Sequence, residues 1–230
     1  MKKIFSGYRF AMGVFVLAAM PLVCLTTSCG GNKNAKVFDK GKLDGNTYSN
    51  SYFDFSVDVP QGWYVFNRYE LEQASKESAK AIPNKAVRQE LERTMELESV
   101  PLLVAYQSEP GTVKEFIPSF QAVAENLRWL PDVKTGEHYL MQALETFRVS
   151  GMQYESLDVP VNAVKIDGEE FYTIKLRVNY GEYMVTQEWY STVRDGFALN
   201  FGFTYDGDND KHAGEMAAIR ESIVFSPKTK

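Results

Sequence analysis

Residues 170 to 205 read EFYTIKLRVNYGEYMVTQEWYSTVRDGFALNFGFTY, three period-two segments joined by two turn signals. In the first, Tyr172, Ile174, Leu176, Val178 and Tyr180 alternate with Thr173, Lys175, Arg177 and Asn179, the pattern of a strand buried on one side. Gly181 and Glu182 form a Gly-first two-residue turn. That loop sets Tyr180 opposite Tyr183, Val178 opposite Val185, Leu176 opposite Gln187, Ile174 opposite Trp189 and Lys175 opposite Glu188. A facing pair of opposite charges stabilises an antiparallel ladder by about 0.2 to 1 kcal/mol. Charge and apolar pairs therefore select one register. Arg194, Asp195 and Gly196 read as a three-residue loop with Gly at the left-handed position, which pairs Trp189 with Phe201. On that register Phe197, Leu199, Phe201, Phe203 and Tyr205 join the oily face. Lys175, Arg177, Glu188, Tyr190 and Asn200 gather on the other face around Ala198 and Gly202.

This polar side is the candidate partner surface. The competing reading is a solvated sheet face, or a charged seam beneath a helix.

The chain has 230 residues, 44% hydrophobic and 13% aromatic, enough for one substantial core in a single domain. Its formal charge is -5, and residues 1 to 28 carry Lys2, Lys3 and Arg9 with no acid, so the remainder stands at -8. A domain that acidic, with no basic stripe, repels nucleic acid.

Lys2, Lys3 and Arg9 precede an apolar run from Phe10 to Val23 that is too short to span a membrane comfortably, and small polar residues follow. Residues 1 to 28 are therefore expected to be an export signal. Its last residues Leu25, Thr26, Thr27 and Ser28, followed by Cys29, resemble the lipobox of bacterial lipoproteins. That resemblance implies thioether attachment of a diacylglycerol at Cys29, cleavage after Ser28, and acylation of the new amino terminus. Cys24 is the rival, but it follows the bulky Val23, with Pro21 three positions back, and a small residue is wanted there. An ordinary secretory signal, leaving a free thiol, is the alternative. Both cysteines lie at or before the cleavage point, so no disulfide is expected in the mature domain. Gly30 in place of Asp favours an outer membrane over an inner one. Residues 29 to 46, rich in Gly, Asn and Lys, read as a lipidated flexible tether, and the domain is expected over residues 47 to 230.

In YFDFSVDVPQGW, Phe53, Phe55, Val57 and Val59 alternate with polar residues before Pro60, Gln61 and Gly62 turn the chain into Trp63. A strand ending in Pro, a turn and Trp near the start of an exported domain resembles the PsbP-like superfamily. That superfamily holds the extrinsic photosystem II subunit P, a Ran-binding nuclear-import factor and many bacterial lipoproteins. The resemblance rests on Phe55, Pro60, Gly62 and Trp63, on the three-strand meander, and on the terminal IRESIVF, a helix passing into a short strand. It implies an α/β sandwich and a binding rather than catalytic role.

Elsewhere, Arg68 to Ser99 reads helical, broken at Pro83, and VPLLVAYQ and IPSFQAVAENL read as strands. Thr135 caps a helix with the stripe Tyr139, Leu140, Ala143, Leu144 and Phe147, ended by Gly151. Asp167-Gly168 is a hairpin turn, and Asn209 or Asp210 caps the last helix. The fold class is thus α/β of the α+β type, a mostly antiparallel sheet of about six or seven strands flanked by helices.

No nucleophile elbow, phosphate loop or dinucleotide turn occurs, and no cofactor is expected. His138 and His212 read as surface residues. Asp206, Asp208 and Asp210 resemble the start of a calcium loop, but Lys211 stands where Gly is needed and Ala217 where Glu is needed, so they are weak metal candidates. The expected function is a non-enzymatic lipoprotein of the cell envelope that binds or supports another envelope protein. A small-ligand or metal-ion binding lipoprotein and an envelope enzyme are the alternatives.

Overall fold

A computed structural model describes residues 38–71, 73, 82–89, 99–113, 115–179 and 183–226. Residues 1–37, with the signal and Cys29, lie outside it, as do the turn residues Gly181 and Glu182 and most of the segment expected to be helical before Ser99. Among the described residues no helix is long and apolar enough to cross a membrane.

Seven strands form one antiparallel sheet in the order β4-β5-β6-β10-β9-β8-β7. They are β4 (Tyr64–Val65), β5 (Ser99–Tyr106), β6 (Ser119–Asn126), β7 (Asn162–Ile166), β8 (Glu169–Asn179), β9 (Met184–Arg194) and β10 (Phe197–Tyr205). A smaller antiparallel sheet has the order β1-β2-β3-β11, from β1 (Lys42–Asp44), β2 (Thr47–Asn50), β3 (Phe55–Asp58) and β11 (Val224–Phe225). The described structure begins at Phe38, ahead of the expected domain start at residue 47. Phe38 packs on Tyr52 and Phe197, and β1 pairs with β2.

Helix α1 (Gly136–Ser150) lies on one face of the large sheet. Thr135 caps it, accepting from the His138 amide at 3.2 Å, and Gly151 ends it in the left-handed region at φ 79°. The expected stripe of Tyr139, Leu140, Ala143, Leu144 and Phe147 is buried against Ile174, Leu176, Val178, Val185 and Trp189. Burying each large side chain of that stripe stabilises the fold by about 1.5 to 3 kcal/mol, so packing rather than propensity fixes the helix. At its first turn, a methyl on Gly136 would stand 1.9 Å from the Ser191 carbonyl oxygen, so only glycine lets α1 approach β9 this closely.

The opposite face packs against the small sheet and helix α2 (Asp210–Glu221), through Phe171, Leu199, Phe201, Phe203, Met216 and Ile219. Asn209 caps α2, accepting from the amides of Lys211 and His212. The strand, turn and Trp expected near the start are in place: β3 runs into a turn closed by the Trp63 amide on the Pro60 carbonyl, with Gly62 at φ 85°.

The register of β8 on β9 is the expected one, with Lys175 opposite Glu188 and Ile174 opposite Trp189. The β9–β10 register differs by one residue. Asp195 and Gly196, at φ 52° and 81°, make a two-residue turn, so Arg194 pairs with Phe197, Tyr190 with Phe201, and Trp189 with Gly202. One residue of slip moves every side chain of β10 to the other face. The aromatic row of β10 therefore faces α2 and the small sheet, and Ala198, Asn200 and Gly202 face α1. Both faces of the large sheet are covered.

Candidate partner-binding surface

Four of the five expected surface residues, Lys175, Arg177, Glu188 and Tyr190, lie on the α2 side of the meander. Asn200 does not join them. It is 1% exposed and lies beneath α1, a consequence of the shorter turn at Asp195-Gly196. Tyr190 is also buried as a ring, edge-on to Phe203 at 5.6 Å, and contributes only its hydroxyl to the polar group.

That group is built around Glu188. Its Oε1 accepts from the Tyr205 hydroxyl at 2.6 Å and pairs with Lys175 Nζ at 2.9 Å, and its Oε2 accepts from the Tyr190 hydroxyl at 3.0 Å. Arg220, from the last turn of α2, donates to the Tyr190 hydroxyl at 2.9 Å. Lys175 Nζ also donates to Tyr205 at 3.2 Å. The strand register places Glu188 and Lys175 side by side, and the helix brings Arg220 onto the Tyr190 hydroxyl beside them.

The electrostatics follow from this packing. Burial alone would raise the Glu188 carboxyl, but hydrogen bonds from Tyr205 and Lys175 outweigh it and hold the group below its ordinary 4.5. Burial and the adjacent carboxylate push the Tyr205 phenol up to about 12. Burial lowers Lys175, yet its bonds to Glu188 and Tyr205 leave it above its ordinary value and charged. Both carboxylate oxygens of Glu188 are already engaged, so the arrangement fixes a charge rather than presenting a base.

Arg177 extends the surface. Its Nε pairs with Glu155 at 2.8 Å and its Nη1 with Asp208 at 3.4 Å. Asp208 is thus an ion-pair partner. Asp206 Oδ1 accepts from the Asp208 amide, and Asp210 opens α2. Among the described residues no group of three or more His, Cys, Asp or Glu is placed to hold a metal ion. His138 is exposed and His212 half-buried, both in the first turns of their helices.

Three residues of this surface were not expected from sequence: Tyr205, Arg220 and Glu155. The two-residue turn would have supplied the first, because it sets Phe203 opposite Glu188 and hence Tyr205 two positions along the same face. Beneath α1 a separate polar chain runs from Glu125 through the Tyr139 hydroxyl to Asn200. Burial first, and then the neighbouring Glu125, raise Tyr139 well above the usual phenol range.

No protein-family model matches the sequence, and no curated protein matches it. Among solved structures, the fold is similar to the solution structure of cyanobacterial PsbP (CyanoP) from Synechocystis sp. PCC 6803, at 16% identity and TM-score 0.49, covering 87% of this chain and 98% of that one. It is similar to LpqN, involved in cell envelope biogenesis of Mycobacterium tuberculosis, at 11% identity and TM-score 0.43, covering 75% and 83%. A crystal structure from Bacteroides thetaiotaomicron VPI-5482 is similar at 14% identity and TM-score 0.41, covering 82% and 51%. Likeness at this level bears on neither activity nor partner.

Proposed function

We propose that this is a lipid-anchored module of the bacterial cell envelope that binds another protein without chemistry of its own, through the surface around Lys175 and Arg177. The observation that carries this reading is the fixed geometry of two half-exposed cations. Lys175 and Arg177, with side chains 62% and 41% exposed, are held in place by Glu188, Tyr205, Glu155 and Asp208. A surface whose side chains are already ordered loses little entropy when a partner docks. Charges held at its rim steer and select that partner more than they add affinity. Anchoring is supported by the export signal and the lipobox-like LTTSC ending at Cys29. Gly30 supports an outer membrane, and the motifs at Phe55, Pro60, Gly62 and Trp63 support the PsbP-like assignment.

In-cell crosslinking with mass spectrometry tests the reading, comparing wild type with a Lys175→Ala, Arg177→Ala form. Glu188 is left alone, because removing it would unseat Tyr190 and Tyr205. A specific protein captured by wild type and lost in the double variant supports the surface. Equal capture by both forms, or none by either, counts against it.

A further inference from the structure

We infer that the turn carrying Arg128 and Trp129 rests against the bilayer headgroups beside the lipid anchor, so that the domain is held at two points. The inference rests on lipidation at Cys29. Phe38, the first described residue, is fixed among Tyr52, Phe53 and Phe197 at ring separations of 4.9, 6.0 and 5.3 Å. Phe197 directly follows the Asp195-Gly196 turn, so the chain enters the fold at the end of the sheet that bears this turn. The chain also leaves there: the Ser226 amide donates to the Asp54 carbonyl, and Asp54 pairs with Arg194 beside the same turn.

The turn from Leu127 to Leu130 is bonded to this end. The Leu127 amide donates to the Gly196 carbonyl at 2.9 Å, and the Leu130 amide closes the turn on Leu127 at 2.8 Å. Its two tip residues are exposed, Trp129 at 48%, with the Arg128 guanidinium 4.9 Å over the indole. A stacked indole and guanidinium suit the membrane interface, where the ring lies at headgroup level and the cation stays hydrated.

The anchor is close enough to impose this. Eight residues lie between Cys29 and Phe38; even fully extended, that stretch reaches at most about 30 Å, so the lipid holds this end near the surface. The charge distribution points the same way. The chain carries Lys33 and Lys36 just before Phe38 and Lys228 and Lys230 just after Ser226, in a molecule that is otherwise strongly acidic. Basic residues flanking an anchor are drawn to anionic lipid. At the tip itself the exposed Asp132 and Asp195 offset Arg128 and Lys134, so contact there is through the indole.

The test is to reconstitute the lipidated full chain into phosphatidylethanolamine and phosphatidylglycerol vesicles containing acyl-brominated lipid, which quenches a nearby indole. Wild type is expected to lose emission, and Trp129→Phe to abolish that loss, while Trp63→Phe leaves it intact. Because Trp129 is exposed, its replacement does not disturb the core. Floated protein whose quenching is the same with and without Trp129 overturns the inference and turns the tip toward solvent or a protein partner. Protein that carries no lipid and does not float with the vesicles overturns the anchoring reading and this inference together.

Discussion

Gly202 lies directly opposite Trp189 in the β9–β10 ladder, and a methyl on Gly202 would stand 2.6 Å from Cζ3 of the indole. The largest side chain in the protein thus takes the space that the smallest leaves, on the face that receives α1. Gly202→Ala is expected to destabilise the fold by about 1 to 3 kcal/mol through overpacking. Urea unfolding measures it, and a double-mutant cycle with Trp189→Phe should show coupling, the alanine costing less beside the smaller ring. Additive effects would contradict the contact.

Arg194 ties the two sheets together. Its side chain is 3% exposed, 3.5 Å from both Asp54 and Glu169, with its guanidinium 5.3 Å over the Phe225 ring. The two carboxylates are far more exposed than the cation, so the consequences of breaking the group are unequal. Removing both acids with Asp54→Asn and Glu169→Gln strands a buried charge, at a cost of about 3 to 5 kcal/mol. Arg194→Met leaves two acids that water can reach and should cost less. The order of the two denaturation midpoints checks this, and the reverse order would contradict it. Asn at position 54 also tolerates the left-handed backbone there, at φ 53°.

The Glu188 network predicts a pH signature. The carboxyl titrates lower in the folded protein than its ordinary 4.5. Its contribution is therefore fully present above pH 4.5 and is lost as pH falls through the folded-state value. Wild type should exceed Glu188→Gln in stability at neutral pH, by a margin that narrows only below pH 4.5. Other acids titrate in both forms, so the difference isolates Glu188. A margin unchanged down to pH 3 would contradict the network.

Much of this was legible because local signals agreed. Lys175 facing Glu188, the Thr135 cap, the α1 stripe and the Asp167-Gly168 turn each followed from spacing and turn chemistry. Arg194 reads as part of the β9–β10 loop by sequence, but Asp-Gly by itself makes a two-residue turn of the same kind as Asp167-Gly168. That single residue exchanged the faces of β10, so Asn200 left the Glu188 side and Tyr205, itself buried, brought its hydroxyl to it. β10 gave no warning in its own pattern, since one face carries aromatic residues and the other small ones, and both are buried. The clue lay in size: Trp189 needs a neighbour as small as Gly202. Arg220 and Glu155 were out of reach, because no local pattern says where a helix or a loop crosses a distant strand.

The proposed function and the two-point attachment both depend on the proposed anchoring of the mature chain through Cys29. Its most direct test is the intact mass of the protein extracted from membranes, in wild type and in Cys29→Ala. The wild-type chain is expected to begin at Cys29 and to carry diacylglycerol and an amide-linked acyl group, with the variant lacking the lipid mass and leaving the membrane fraction. A mature chain that begins elsewhere, or a Cys29→Ala form that remains acylated and membrane-bound, would contradict it.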